Sequence, residues 1–144
     1  MRNALLLAGL TTGVISFGQC GAGESQVFIE VTTDGYAYET YWELLPAGSP
    51  CGTGTIFSGG NALVGCNGGG LQLQQPGGYG NGIVISEGPW CLTTGAAYDI
   101  FWADDWGDGG LSFNVIVDGV ASAQFVGDVG VSDETFTFLV QQPV

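Results

Sequence analysis

The stretch Leu111-Ser112-Phe113-Asn114-Val115-Ile116-Val117-Asp118-Gly119-Val120-Ala121-Ser122-Ala123-Gln124-Phe125-Val126 carries the fold in its alternation. Leu111, Phe113, Val115 and Val117 fall on one side of an extended chain, because successive side chains of a strand point to opposite faces. Asp118-Gly119 is turn chemistry, and a further strand from Ala121 to Val126 follows it. The same period of two recurs upstream. Val27, Ile29 and Val31 share a face opposite Phe28, Glu30 and Thr32, and Thr40, Trp42 and Leu44 oppose Tyr41, Glu43 and Leu45. Leu71 and Leu73 alternate with Gln72 and Gln74, while Ile83 and Ile85 follow Asn81-Gly82. Tyr98 to Trp102 and Thr135 to Val140 complete the set. No apolar period of about 3.6 residues competes with this pattern. Gly59-Gly60-Asn61 and Pro76-Gly77-Gly78 punctuate the runs, and Asn67 to Gly82 is the best candidate for a long, mobile loop. About eight short strands with such punctuation predict an all-β, antiparallel two-sheet sandwich.

The chain has 144 residues, enough for one domain. Residues 1–18 read as a secretory signal, with Arg2 as the positive start, an apolar run from Ala4 to Phe17, and Ser16 and Gly18 spaced for cleavage after Gly18. That run is too short to span a bilayer as a helix. A rival reading makes Cys20 a lipid-modified terminus, although Phe17-Gly18-Gln19 is a poor site for it. Residues 19–144 are then a single secreted domain, extracellular or at the cell surface, with no membrane span.

Arg2 is the single basic residue, so the domain carries all 14 acidic residues and no Lys, Arg or His. Such a surface repels nucleic acid and anionic lipid, which both need cationic side chains. It attracts cations, or simply keeps the protein soluble. Cys20, Cys51, Cys66 and Cys91 are an even set in a secreted chain and imply two disulfides, with three connectivities open. The preferred pairing is Cys51–Cys66 and Cys20–Cys91, the first closing a loop of roughly 15 residues worth about 3 kcal/mol. Zinc is disfavoured by the wide spacing and the lack of His.

Two segments go beyond composition. One is Thr33-Asp34-Gly35-Tyr36-Ala37-Tyr38-Glu39-Thr40-Tyr41-Trp42-Glu43-Leu44; the other is Cys91-Leu92-Thr93-Thr94-Gly95 followed by Tyr98 to Gly109, ending Asp104-Asp105-Trp106-Gly107-Asp108-Gly109. In order and spacing they resemble a module of secreted bacterial surface proteins, with T-D-x-Y-x-x-E-T-x-W-x-L, C-L-x-x-G and D-x-(Y/W)-G-D-G motifs. Gly110 to Val115 fits the strand that follows in that module. The resemblance spans roughly residues 27 to 140 and implies a jelly-roll or CUB-like β-sandwich without chemistry of its own. The module often carries a further pair of cysteines where this chain has Ala97 and residues such as Leu139, so its disulfide pattern does not transfer.

Asp34, Glu39, Asp104, Asp105 and Asp108 crowd into two turns with no Lys or Arg to neutralise them. If the turns meet at one end of the sandwich, a hard cation taking six to eight oxygens, Ca²⁺, satisfies them. Otherwise the same residues are solvated turns in which Asp caps backbone N–H groups. Tyr36, Tyr38, Trp90, Trp102 and Trp106 sit in or beside these loops, where flat rings stack on sugars. Trp42 is expected in the core and Trp106 exposed. Tyr36, Tyr38 and Trp106 are the candidate ligand-binding rings.

Without His or a Lys in the domain there is no Ser-His-Asp triad, no Cys-His pair and no lysine chemistry or Lys–Asn cross-link. Paired carboxylates hydrolyse glycosides in other proteins, but Asp-Gly turns on a small sandwich offer no deep cleft. The expectation is a non-enzyme. The leading role is a structural or adhesive subunit of an extracellular filament or matrix that self-associates, with Gln26 to Thr33 as a strand to lend to a neighbour. The alternative is a carbohydrate-binding module.

Overall fold

The computed structural model describes residues 20–141, and the expected signal at 1–18 lies outside them. Eight strands follow in order: β1 Glu24–Thr33, β2 Thr40–Pro46, β3 Phe57–Gly60, β4 Val84–Thr93, β5 Ala97–Asp104, β6 Leu111–Val117, β7 Val120–Val126 and β8 Asp133–Leu139. Short 3-10 turns at Ala37–Glu39 and Gly65–Asn67 are the helical elements among the described residues. The strands form two four-stranded sheets, ordered β4-β1-β6-β7 and β3-β2-β5-β8. Every pairing is antiparallel. The chain is a two-sheet β-sandwich.

The alternation read from the sequence sets the register. Val27, Ile29 and Val31 of β1 lie opposite Val117, Val115 and Phe113 of β6. Trp42 and Leu44 of β2 lie opposite Trp102 and Ile100 of β5. All ten are buried, and together they are the floor and ceiling of one core. Trp42 reaches across to Phe113 with ring centroids 5.5 Å apart. Aromatic pairs close the two flanks: Phe57 of β3 on Trp90 of β4, and Phe125 of β7 stacked on Phe136 of β8 at 4.9 Å. Fully burying one such side chain is worth about 1.5–3 kcal/mol, so these contacts dominate the fold's stability.

The disulfides are Cys20–Cys91 and Cys51–Cys66. The second ties a loop over the outer face of the β2–β5 sheet, where Tyr41, Val64 and Ala103 form a small apolar cluster beside both cysteines and Phe101. Buried Glu43 secures this loop, because its carboxylate accepts the Tyr41 hydroxyl, the Gly52 N–H and the Thr55 hydroxyl.

Three expectations change. Leu71 to Gln74 is not a strand: Gln72 and Gln74 take positive φ (54° and 50°), which breaks the extended path their alternation suggested. The fourth member of the second sheet is instead Phe57–Gly60, a segment whose glycines hid it. Glycine is required there because a Cβ on Gly59 would lie 2.5 Å from Trp42 Nε1, which donates to the Tyr79 hydroxyl at 3.1 Å. Finally, β1 sits between β4 and β6, paired on both edges, so the Gln26–Thr33 segment has no free edge to lend.

Candidate functional site

The ends of β1 and β5 and the starts of β2 and β6 meet at one end of the sandwich, and the two quoted segments meet there. Asp104, the last residue of β5, is fully buried. Its Oδ1 accepts the Trp106 N–H at 3.0 Å, and its Oδ2 accepts the N–H groups of Asp108 and Gly109 at 2.8 Å each. This one carboxylate shapes the whole D-D-W-G-D-G turn, and Gly107 and Gly109 supply the positive φ that the turn needs. Burial pushes the Asp104 carboxyl above the ordinary range, opposed by the three N–H donors and helped by the nearby Asp108 charge.

Asp105 points the other way, as the next residue along an extended chain must. Only 1% exposed, it accepts the N–H groups of Leu73 and Gln74 at 2.8 and 2.9 Å. The Gly70 and Gln72 N–H groups donate to the carbonyls of Asp104 and Asp105. The glycine-rich loop is therefore clasped against the site by these bonds. Asp34 caps its own turn by accepting the Tyr36 N–H at 2.7 Å, and its N–H donates to the Gly110 carbonyl.

Glu39 is different. It ends the 3-10 turn before β2, is 5% exposed, and its carboxylate takes no backbone N–H. Burial holds its carboxyl above the ordinary range, the Tyr38 phenol pulls it back, and the charges of Asp108, Asp104 and Asp34 raise it further. One carboxylate oxygen each from Glu39, Asp104 and Asp108 lie within 4.8 Å of one another. Of the five acids read from the sequence, the fold thus brings three to a single point. Asp34 and Asp105 are spent on backbone N–H groups beside it.

Above this point opens a cavity of about 320 Å³ lined by Tyr36, Tyr38, Glu39, Gln74, Trp106 and Asp108. Its size is at the lower end of small-ligand sites, about 300 Å³ and upward. Tyr36 is 58% exposed and Trp106 39%, large rings left open to solvent at the rim. Tyr36 and Tyr38 meet edge to face at 6.5 Å. Trp102 belongs to the core and Trp90 packs on Phe57, so neither contributes. Gln74 is the member that sequence reasoning missed: it enters only because Asp105 pins its loop, and nothing local to it signals that.

A second group, Glu43 with Cys51 and Cys66, is also close-set. Its sulfurs are joined in a disulfide and its carboxylate is saturated by donors, so it is structural. No helix among the described residues is long and apolar enough to cross a membrane. No family model, curated protein or solved structure matches this chain.

Proposed function

We propose that this protein is a secreted, non-catalytic β-sandwich domain that binds a neutral saccharide in the cavity at the Asp104 end. The observation that carries the reading is the pairing of exposed Tyr36 and Trp106 rings with Glu39, Asp108 and Gln74 around one cavity. Sugar rings present apolar C–H faces that stack on aromatic rings, while carboxylates and amides exchange hydrogen bonds with hydroxyls. The net charge of −13 disfavours anionic glycans, so the ligand is neutral. Two disulfides fit an oxidising, extracellular setting. The motif resemblance to modules of secreted surface proteins points the same way.

The test is retention on a panel of immobilised neutral polysaccharides, followed by titration of the best. Wild type is expected to be retained without releasing reducing ends. Trp106→Ala should abolish retention while leaving thermal stability within about 0.5 kcal/mol, because the ring is at the surface. Wild type running in the void volume on the whole panel would overturn the reading.

The second reading, a structural or adhesive subunit that self-associates, is favoured by β7. Among the described residues this edge strand pairs with β6 alone, and Val120–Val126 contains no charge and no Pro. Natural edge strands are normally guarded by one or the other. Negative-stain images of wild type would show ordered assemblies that Ala121→Lys with Gln124→Lys disperses. Monodisperse wild-type particles at high concentration would exclude it.

A further inference from the structure

We infer that the loops at the Asp104 end form a docking surface for a protein segment whose apolar side chains are flanked by Lys or Arg. The surface adjoins the cavity and stands whether or not the cavity binds a saccharide. Three loops build it: residues 69–75, the turn 105–110 and the β7–β8 connection 127–132. They meet at Ser132. Its carbonyl accepts the Asp104 N–H at 2.8 Å, and a Cβ on Gly69, Gly70 or Gly107 would come within 2.4 to 3.3 Å of its atoms. The Gly130 N–H donates to the Gly107 carbonyl at 2.8 Å, and the Leu73 N–H to the Asp105 carboxylate. These loops are held in place by one another.

Yet they turn large apolar side chains to solvent. Val129 is 80% exposed and Leu71 58%, and Leu73, Trp106 and Val131 are exposed as well. A Cβ on Gly109 would lie 3.5 Å from Val129 Cγ2, and one on Gly107 3.5 Å from the Val131 carbonyl oxygen, so both valines adjoin the turn that carries Trp106. Single exposed apolar residues are ordinary, but five on three interlocked loops form a patch of the kind that marks an interaction site. Charge selects its occupant. Asp108, Asp128 and Asp133 are exposed on these loops or directly beside them, and residues 19–144 contain no Lys, Arg or His. A second copy would set the same acids against one another, and anionic lipid is repelled likewise. A segment with an apolar centre and a basic rim matches both features, with Trp106 as the aromatic anchor.

The probe is a synthetic peptide of Leu and Lys in amphipathic order, titrated by fluorescence anisotropy at about 0.15 M salt. An oligolysine and a Leu/Glu peptide of equal length run beside it. Wild type is expected to bind the Leu/Lys peptide at least about tenfold more tightly than oligolysine, and to leave the Leu/Glu peptide unbound. The double variant Leu71→Asp with Val129→Asp adds two negative charges, so general attraction of a basic peptide predicts tighter binding. Docking on the patch predicts the opposite, a loss of at least about tenfold for the Leu/Lys peptide with oligolysine binding not reduced. Both side chains are at the surface and neither lines the cavity, so the variant keeps the fold and the saccharide reading is tested separately. Equal affinity of wild type for the Leu/Lys peptide and oligolysine, or a double variant that binds the Leu/Lys peptide as tightly as wild type, would overturn the inference. Binding to phosphatidylcholine vesicles, or dimerisation in sedimentation, that the double variant abolishes would also overturn it, since either assigns the patch to another occupant.

Discussion

The backbone N–H of Asp105 donates to the carbonyl of Glu39 at 2.8 Å, making the turn after β5 and the turn before β2 one unit. The Asp105 side chain extends that unit to the loop carrying Gln74 through two charge-assisted bonds. Such bonds are worth about 1.5–3 kcal/mol when buried, less where water replaces them. Asp105→Ala should therefore cost about 2 kcal/mol in urea unfolding. It should also open the loop to chymotrypsin at Leu71 and Leu73, already half-exposed. Unchanged cleavage would mean that the loop is held by its backbone bonds alone.

Gly127 and Trp102 are coupled by contact. A Cβ on Gly127 would lie 2.5 to 2.9 Å from Cζ2, Cε2 and Cη2 of Trp102, atoms of the indole's six-membered ring. Trp102 Nε1 is moreover buried with no hydrogen-bond partner among the described residues. Gly127→Ala should then destabilise by about 1–3 kcal/mol through overpacking. Trp102→Phe removes the clashing atoms and the unpaired N–H, so the double variant should be more stable than the sum of the singles predicts. A coupling energy of about 1 kcal/mol or more in a double-mutant cycle is expected, and strict additivity would refute the contact.

How much of this was legible depends on range. Val27 to Val31 and Leu111 to Val117 announce themselves because a strand buried on one face has a local period. The disulfides and the absence of counter-charge around Glu39, Asp104 and Asp108 were equally visible. Asp104 and Asp105 show where local reading stops. Adjacent and alike, they point to opposite sides, one capping its own turn and the other clasping a loop that is distant in sequence. The false strand at Leu71 to Gln74 and the hidden one at Phe57–Gly60 have one cause. A two-residue alternation in a Gly-rich stretch is weak evidence, and tertiary partners such as Tyr79 and Trp42 decide the backbone instead.

Alkaline titration should separate the tyrosines. Burial, then the hydrogen bond to Glu43, pushes the Tyr41 phenol to about 12. Burial likewise raises Tyr79, which bonds Trp42 and Glu87. Both pKa values lie above the unfolded value of about 10, so the folded state keeps protons that the unfolded state loses. Their stabilisation is complete below about pH 10 and is lost as the pH rises through 12. Tyrosinate absorbance should rise in two phases, the second coinciding with loss of near-ultraviolet dichroism. A single phase at the ordinary phenol value, with dichroism intact, would contradict the buried placement.

Ala97 of β5 lies directly opposite Leu139 of β8. Neither is a cysteine, and a directly paired position at the strand ends is a place where a bridge between the two strands can be built. Directly opposed Cβ atoms are about 4.5–5.5 Å apart, slightly wider than a disulfide prefers, and the strand ends need only a small approach. Ala97→Cys with Leu139→Cys should oxidise to a third disulfide without disturbing Cys20–Cys91 or Cys51–Cys66. Closing a loop of roughly 40 residues is worth up to about 4 kcal/mol in the chain-entropy model, with strain subtracting from it. Intact-mass analysis with thiol labelling reads the bridge, and thermal unfolding against wild type reads its effect. Quantitative labelling of both new thiols after oxidation would show that the β5–β8 register is not the one described. A bridged protein that melts below wild type would show instead that the approach strains the strand ends more than the closed loop stabilises them.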